Sequence, residues 1–269
     1  MKKLWLGLLL IAGTSSVLLI SDWSQRTAGR SRKRVAVIQH APQQALDEGV
    51  AGILNGLAAN GFVDGRDITI QRLNAQNDLP TANAIARQAV DGGYDLIITA
   101  STLSLQTVAN ANRAGRTNHV FGIVADPFSA GVGISRDNPL DHPAHLTGIG
   151  SLIPVDRAFK MARELYPGLR RVGLVWNSAE SNSLAFTKAA RAISRDLGIE
   201  LLEANADNAS AVGEAASSLT SRGAEALFIS GDVMVLVAAD SVVAAAKRAR
   251  IPVFSIIPPT VERGALFDL

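Results

Sequence analysis

The 269-residue chain contains no cysteine, which excludes disulfides, thiolate metal sites and a lipid-modified N-terminal cysteine. Aromatic residues make up only 5% of it, while 48% is hydrophobic, with Ala, Val, Leu and Ile carrying most of that content. Such a profile suits parallel α/β structure, where β-branched residues build strands buried on both faces. Charge of one sign is also scarce: the formal net charge is +2. The basic residues cluster near the N-terminus at Arg26, Arg30, Arg32, Lys33 and Arg34, and no later segment forms a basic stripe. A nucleic-acid partner is therefore not expected.

Nucleotide and hydrolase motifs are missing too. No Gly-x-x-x-x-Gly-Lys-Ser/Thr phosphate loop occurs, no Gly-x-Gly-x-x-Gly follows a strand, and no Gly-x-Ser-x-Gly elbow is present. The four histidines are His40, His119, His142 and His145. His142 and His145 share one loop, but without Cys or a dedicated acidic partner they read as solvated residues rather than metal ligands. His119, just before a strand, reads as structural. No metal, cofactor or catalytic residue is expected.

What is present begins with an apolar run. Lys2 and Lys3 precede Leu4 to Ile20, interrupted only by small or hydroxyl residues. Its length lies between that of a signal core and a spanning helix. Residues 1–22 thus read as a signal peptide or an N-terminal membrane anchor, followed by a basic linker over 23–33. The nearest small-x-small site, Gly13-Thr14-Ser15, would leave Val17-Leu18-Leu19-Ile20 on the mature end, which favours an uncleaved anchor. The excess of basic residues after the run opposes an outward-facing body under the positive-inside rule.

From Arg34 the chain alternates strand and helix, and its second half echoes the first. Arg34-Val35-Ala36-Val37-Ile38 is matched by Arg171-Val172-Gly173-Leu174-Val175. Helical spacing follows each: Leu46, Val50, Ile53, Leu54 and Leu57 in one, Phe186, Ala190, Ile193 and Leu197 in the other. Further strands pair off as Ile68–Ile70 with Ile199–Leu202, Asp95–Ile98 with Ala226–Ile229, and Val120–Val124 with Pro252–Ser255. Repeated βα units imply parallel sheets with right-handed crossovers. The expected architecture is two doubly wound parallel-sheet lobes, 34–148 and 149–258, joined through a Gly-, Pro- and Asp-rich stretch over Ser129–Ser151.

Parallel sheets present ligands at the C-terminal ends of their strands. Those ends carry Gln39-His40, Ser101-Thr102 and Asp126 in the first lobe, and Asn177 through Ser183 and Asp232 in the second. Hydroxyls and helix N-termini hold anions; Asp126 and Asp232 are suited to an ammonium group. An α-amino acid carries both. The competing reading is that these residues are helix caps and turn formers.

These stretches resemble the ABC transporter substrate-binding proteins of the tryptophan/tyrosine type. The matching motifs are Ala45-Leu46-Asp47-Glu48-Gly49, Gly61-Phe62-Val63-Asp64-Gly65-Arg66-Asp67-Ile68, Ala125-Asp126-Pro127 with Ala130-Gly131, Leu146-Thr147-Gly148-Ile149, Asn177-Ser178-Ala179-Glu180-Ser181-Asn182-Ser183 and Arg263-Gly264-Ala265-Leu266. The resemblance covers nearly everything from Arg34 onward. It implies the type I periplasmic binding fold, solute contacts from Ser101, Thr102, Asp126, Asn182, Ser183 and Asp232, and a permease and an ATPase as partners. Strand-end position adds His40 and Asn177 to the ligand-binding candidates. Departures from the pattern are Val233 where an Asn commonly follows the second-lobe Asp, and Ile256-Ile257-Pro258-Pro259 in place of an acidic turn. Both make the cleft wall less polar and point to a polar-headed solute with an apolar body. The segment Arg136 to His145 is longer and more charged than usual. Family members also run on past Gly264-Ala265-Leu266, so residues 259–269 are expected to begin a return crossing to a first lobe truncated at its C-terminus.

The expected function is solute binding for an ABC importer on the extracytoplasmic face, with no enzymatic activity. A membrane-tethered sensing domain uses the same clamp. A nucleotide-sugar transferase would need a diphosphate loop, whereas the second-lobe strand ends carry Glu180 and Asp232. A two-carboxylate enzyme would need Asp126 and Asp232 to meet across the cleft. A repressor would need a helix-turn-helix where the apolar run stands.

Overall fold

The computed structural model describes Ser15, Ser16 and residues 32–269 apart from Pro259. Nearly all of the apolar run and of the basic linker lies outside the described residues. Among those described, no helix is long and apolar enough to cross a membrane.

The first lobe is a five-stranded parallel sheet of order β2-β1-β3-β4-β5. Its elements are β1 (Lys33–Gln39), α1 (Gln44–Ala59), β2 (Ile68–Asn74), α2 (Leu79–Asp91), β3 (Leu96–Ala100), α3 (Thr102–Ala111), β4 (Asn118–Val124) and β5 (Leu146–Gly150). Alternation along β1 explains the layering. Ala36 and Ile38 join Ala86, Ala89, Val90 and Val108 on the α2/α3 side. Val35 and Val37 face the other way, with Val50 and the half-buried Ile53 of α1.

The second lobe repeats the plan with four parallel strands, β7-β6-β8-β9. It contains α4 (Val155–Leu165), β6 (Arg171–Trp176), α5 (Ser181–Asp196), β7 (Glu200–Asn205), α6 (Val212–Ser221), β8 (Ala226–Ile229), α7 (Val233–Val237), α8 (Ala239–Ala249) and β9 (Val253–Ser255). One continuous core fills it. Three of the chain's few aromatics meet at its centre, with Phe159 edge-on to Phe228 at 5.0 Å and to Phe254 at 5.3 Å.

Every paired strand of the repeat is present, as its periodicity implied. One further strand is not legible as such. Leu146–Gly150, placed in the connecting stretch, pairs in parallel with β4 as an edge strand. Only Leu146 of it is buried, and its two glycines weaken the strand signal. The last residues lie against the second lobe: Leu266 N–H donates to Val253 O at 2.7 Å, and Phe267 stacks on Phe254 at 5.7 Å.

In both sheets the strand order reverses beside the first strand of the lobe, between β1 and β3 and between β6 and β8. The loops leaving those four strands are where a doubly wound sheet binds its ligand.

Candidate functional site

Those four loops face one another across a cleft. It encloses about 600 Å³ of atom-free space, part of it open to solvent. His40, Gln43, Ser101 and Thr102 line it from the first lobe, and Glu180, Asn182 and Gly231 from the second, with Ser151 between. The apolar wall is built from Leu46, Ile123, Phe186, Val233, Leu236 and Ile257.

On the first-lobe side, Ser101 caps α3: its hydroxyl accepts the Ser104 N–H at 3.1 Å. The N–H groups of Thr102 and Leu103, in the first turn, have no acceptor within the helix, and both residues line the cleft. The helix dipole adds partial positive charge at the same point. Ser101 has φ +139° and ψ 161°, a region only glycine adopts freely. Ile123, at the irregular pairing of β4 with β5, has φ +56°, an outlier for a β-branched residue. Both strained residues line the cleft, the usual place for strain held by its surroundings.

His40 Nδ1 and Gln43 Nε2 are buried without a hydrogen-bond partner among the described residues. Such atoms cost about 1–3 kcal/mol each while unsatisfied, and both border the cleft. Burial lowers the His40 pKa, opposed by its hydrogen bond with the Asn77 side chain. The ring is therefore neutral at neutral pH, with one donor and one acceptor nitrogen.

Glu180 and Asp232 divide the work of the second lobe. Asp232, fully buried, accepts N–H groups from Asn177 at 2.7 Å and from Val235 at 2.9 Å, so both oxygens serve the backbone. Glu180 borders the cleft instead. Burial, and then the nearby Asp232 charge, raise its pKa to about 7, against the pull of amide donors from Asn182 at 3.3 Å and Asn177 at 3.5 Å. Asn182 also donates to Gly231 O at 3.1 Å. A Cβ on Gly231 would come within 2.3 Å of the Phe186 ring, so glycine is needed for that ring to close the pocket.

Of the residues singled out in the sequence, His40, Ser101, Thr102 and Asn182 come together at the cleft. Asn177, Ser183 and Asp232 stand behind it as a backbone-holding set: the Ser183 hydroxyl accepts the Asn177 N–H at 3.0 Å. Asp126 is placed elsewhere. It turns toward a separate surface cavity, accepts the Phe128 N–H at 3.1 Å and pairs with Arg136. The segment Arg136 to His145, longer and more charged than usual, supplies that arginine. Gln43, Ser151 and Glu180 were not among the candidates. Glu180 lay inside the flagged stretch 177–183 but counted there only as charge unfavourable to a diphosphate. Phe186 read as core spacing, which it also satisfies. Val233 and Ile257, the two departures that removed polarity, do form part of the apolar wall.

The other three histidines, His119, His142 and His145, do not line this cleft. His119 is buried on β4 with Nε2 2.8 Å from Thr99 Oγ1. Among the described residues, no group of three or more potential ligands is placed to hold a metal.

Comparison with known proteins identifies the family. The chain is 27% identical to the tyrosine-binding protein of Clostridioides difficile over 269 residues, spanning 96% of this chain and 76% of that protein. It is similar to the crystal structure of a conserved domain protein from Vibrio cholerae, with TM-score 0.80 and 28% identity over 87% of this chain and 77% of that one. It shares its fold with an ABC domain in complex with L-Trp from Streptococcus pneumonia, with TM-score 0.82 and 21% identity over 89% of this chain and 79% of the other. Residues 34–269 match the family model for the ABC transporter substrate binding protein. With two lobes facing each other across a polar-headed, apolar-walled cleft, this chain belongs to the family of ABC transporter substrate-binding proteins.

Proposed function

We propose that the protein is the extracytoplasmic solute-binding component of an ABC import system, closing its lobes over an α-amino acid with an apolar side chain. A permease receives the solute and a separate ATPase drives the transfer; the N-terminal apolar segment directs export and tethers the chain. The protein performs no chemistry on what it carries.

One observation carries the choice of solute: the cleft places a carboxylate, Glu180, on one lobe and the N-terminus of α3 with Ser101 and Thr102 on the other. Glu180 holds the α-ammonium by a charge-assisted hydrogen bond, assisted in position by Asn182. The α-carboxylate lies on the Thr102 and Leu103 N–H groups and the Thr102 hydroxyl. His40 and Gln43 supply further hydrogen bonds, and the wall of Leu46, Ile123, Phe186, Leu236 and Ile257 receives the apolar body. The names of the Clostridioides and Streptococcus relatives, one tyrosine-binding and one holding L-Trp, fit this class of solute.

Thermal unfolding of the purified chain against a panel of amino acids, short peptides and nucleotide sugars tests the reading. A solute at 100 times its Kd adds about 2.7 kcal/mol, which raises the midpoint by about 5–10 °C at this size. A rise confined to aromatic or branched amino acids is expected. A rise with nucleotide sugars alone, or with nothing in the panel, overturns it.

A further inference from the structure

Closing two lobes over a solute requires groups that hold the lobes together, and among the described residues few polar contacts cross the cleft outside the solute cavity. The shortest is between Gln106 on α3 and Ser181, the first residue of α5: Gln106 Nε2 donates to Ser181 Oγ at 2.9 Å. The second hydrogen of the same amide goes to Ala130 O at 2.9 Å, within the first lobe. A weaker contact, Asn77 Nδ2 to Met234 Sδ at 3.9 Å, also joins the lobes.

We infer that Gln106 and Ser181 form a solute-independent latch that holds the lobes closed and sets the rate of solute release. This rests on the binding reading above. Three observations support it. The Ala130 carbonyl, on the same lobe as Gln106, holds one hydrogen of the amide, so less side-chain freedom is lost when the other makes the contact with Ser181. Ser181 directly follows Glu180, so the movement that brings Glu180 to the solute also delivers the latch hydroxyl. And neither Gln106 nor Ser181 lines the solute cavity, so the contact stabilises the closed form without discriminating among solutes.

A hydrogen bond made only in the closed form slows opening and leaves the first encounter with the open form untouched. The test is stopped-flow binding with the amino acid that gives the largest thermal shift. Gln106→Ala and Ser181→Ala should each raise the dissociation rate about three- to tenfold, with association unchanged and the same factor for every solute bound. The double variant should dissociate no faster than the faster single variant, because both remove one contact. Ser181→Thr, which keeps the hydroxyl, should restore slow release. An unchanged dissociation rate, or single effects that multiply in the double variant, overturns the latch. The latch is also readable without solute, so its failure is separable from failure of the functional reading. Because the chain has no cysteine, spin labels at Gln88→Cys and Ala192→Cys, both exposed on helices of opposite lobes, report the lobe separation alone. Gln106→Ala should shift that distance distribution; identical distributions overturn the proposal.

Discussion

The Asp232 carboxylate accepts the Asn177 N–H at 2.7 Å, fastening the loop after β8 to the loop after β6. Its other oxygen caps α7 through the Val235 N–H. Asp232→Ala strands two buried N–H groups and should lower unfolding free energy by about 2–4 kcal/mol. Asp232→Asn keeps one acceptor oxygen and should lose less. Urea unfolding of the two variants decides it: full stability with lost affinity would return Asp232 to the solute.

Glu180 links solute binding to pH. Its folded pKa, about 7, lies above the ordinary 4.5. A raised pKa contributes stability that is fully present below about 4.5 and is lost as pH rises through 7. A bound ammonium reverses the preference for the proton, so affinity should strengthen over the same rise, with proton release. Glu180→Gln should flatten both profiles and weaken binding about ten- to hundredfold at pH 8. Asp126→Ala should leave Kd within about twofold, since its carboxylate faces Arg136. Calorimetry in buffers of different ionisation enthalpy reads the proton directly; no proton release would remove Glu180 from the ammonium.

The fold was legible because two independent copies of one pattern reinforced each other: a strand weak in one half, such as Ile68–Ile70, had a partner in the other. Leu146–Gly150 had no copy in the second lobe and went unread as a strand. The site was legible only to the loop. Sequence order brings Asn177, Glu180, Asn182, Ser183 and Asp232 to one end of the sheet, but which carboxylate faces the cleft depends on rotamers and on backbone N–H groups that need an acceptor. Asp232 met that need and Glu180 was left facing the cleft. Asp126 followed another rule again, drawn to an arginine ten residues on that sequence spacing alone does not place.

His119 should make the protein sensitive to acid. Burial, and then the charge of His145, lower its pKa to about 3. The unfolded chain takes up a proton near 6.5 that the folded chain refuses, so stability is lost as pH falls from 6.5 toward 3. Glu180 acts with the opposite sign between 4.5 and 7, so the comparison belongs in a Glu180→Gln background. There, His119→Gln keeps a partner for Thr99 but does not titrate, and its stability should fall less between pH 6.5 and 4. Parallel profiles would exclude His119 as a source of acid lability.

Ser101 poses a question of strain against capping. Its φ of +139° costs a non-glycine residue about 1–3 kcal/mol, while its hydroxyl cap on the Ser104 N–H is worth about 1 kcal/mol relative to Ala. Replacement by glycine removes the strain and gives up only a few tenths of the capping energy. Ser101→Gly should therefore be at least as stable as the parent, and Ser101→Ala, which keeps the strain and loses the cap, less stable by about 1 kcal/mol. That order, Gly above Ala at the start of a helix, inverts what capping-free propensity would give. Both variants lose the hydroxyl that borders the cleft, so both should bind solute more weakly. A glycine variant that is more stable than the alanine variant yet binds more weakly than it would show that the strain is retained for binding. Equal stability of the Gly and Ala variants would show that the surroundings of Ser101 relax around either side chain, and the strained backbone would then have no part in shaping the site.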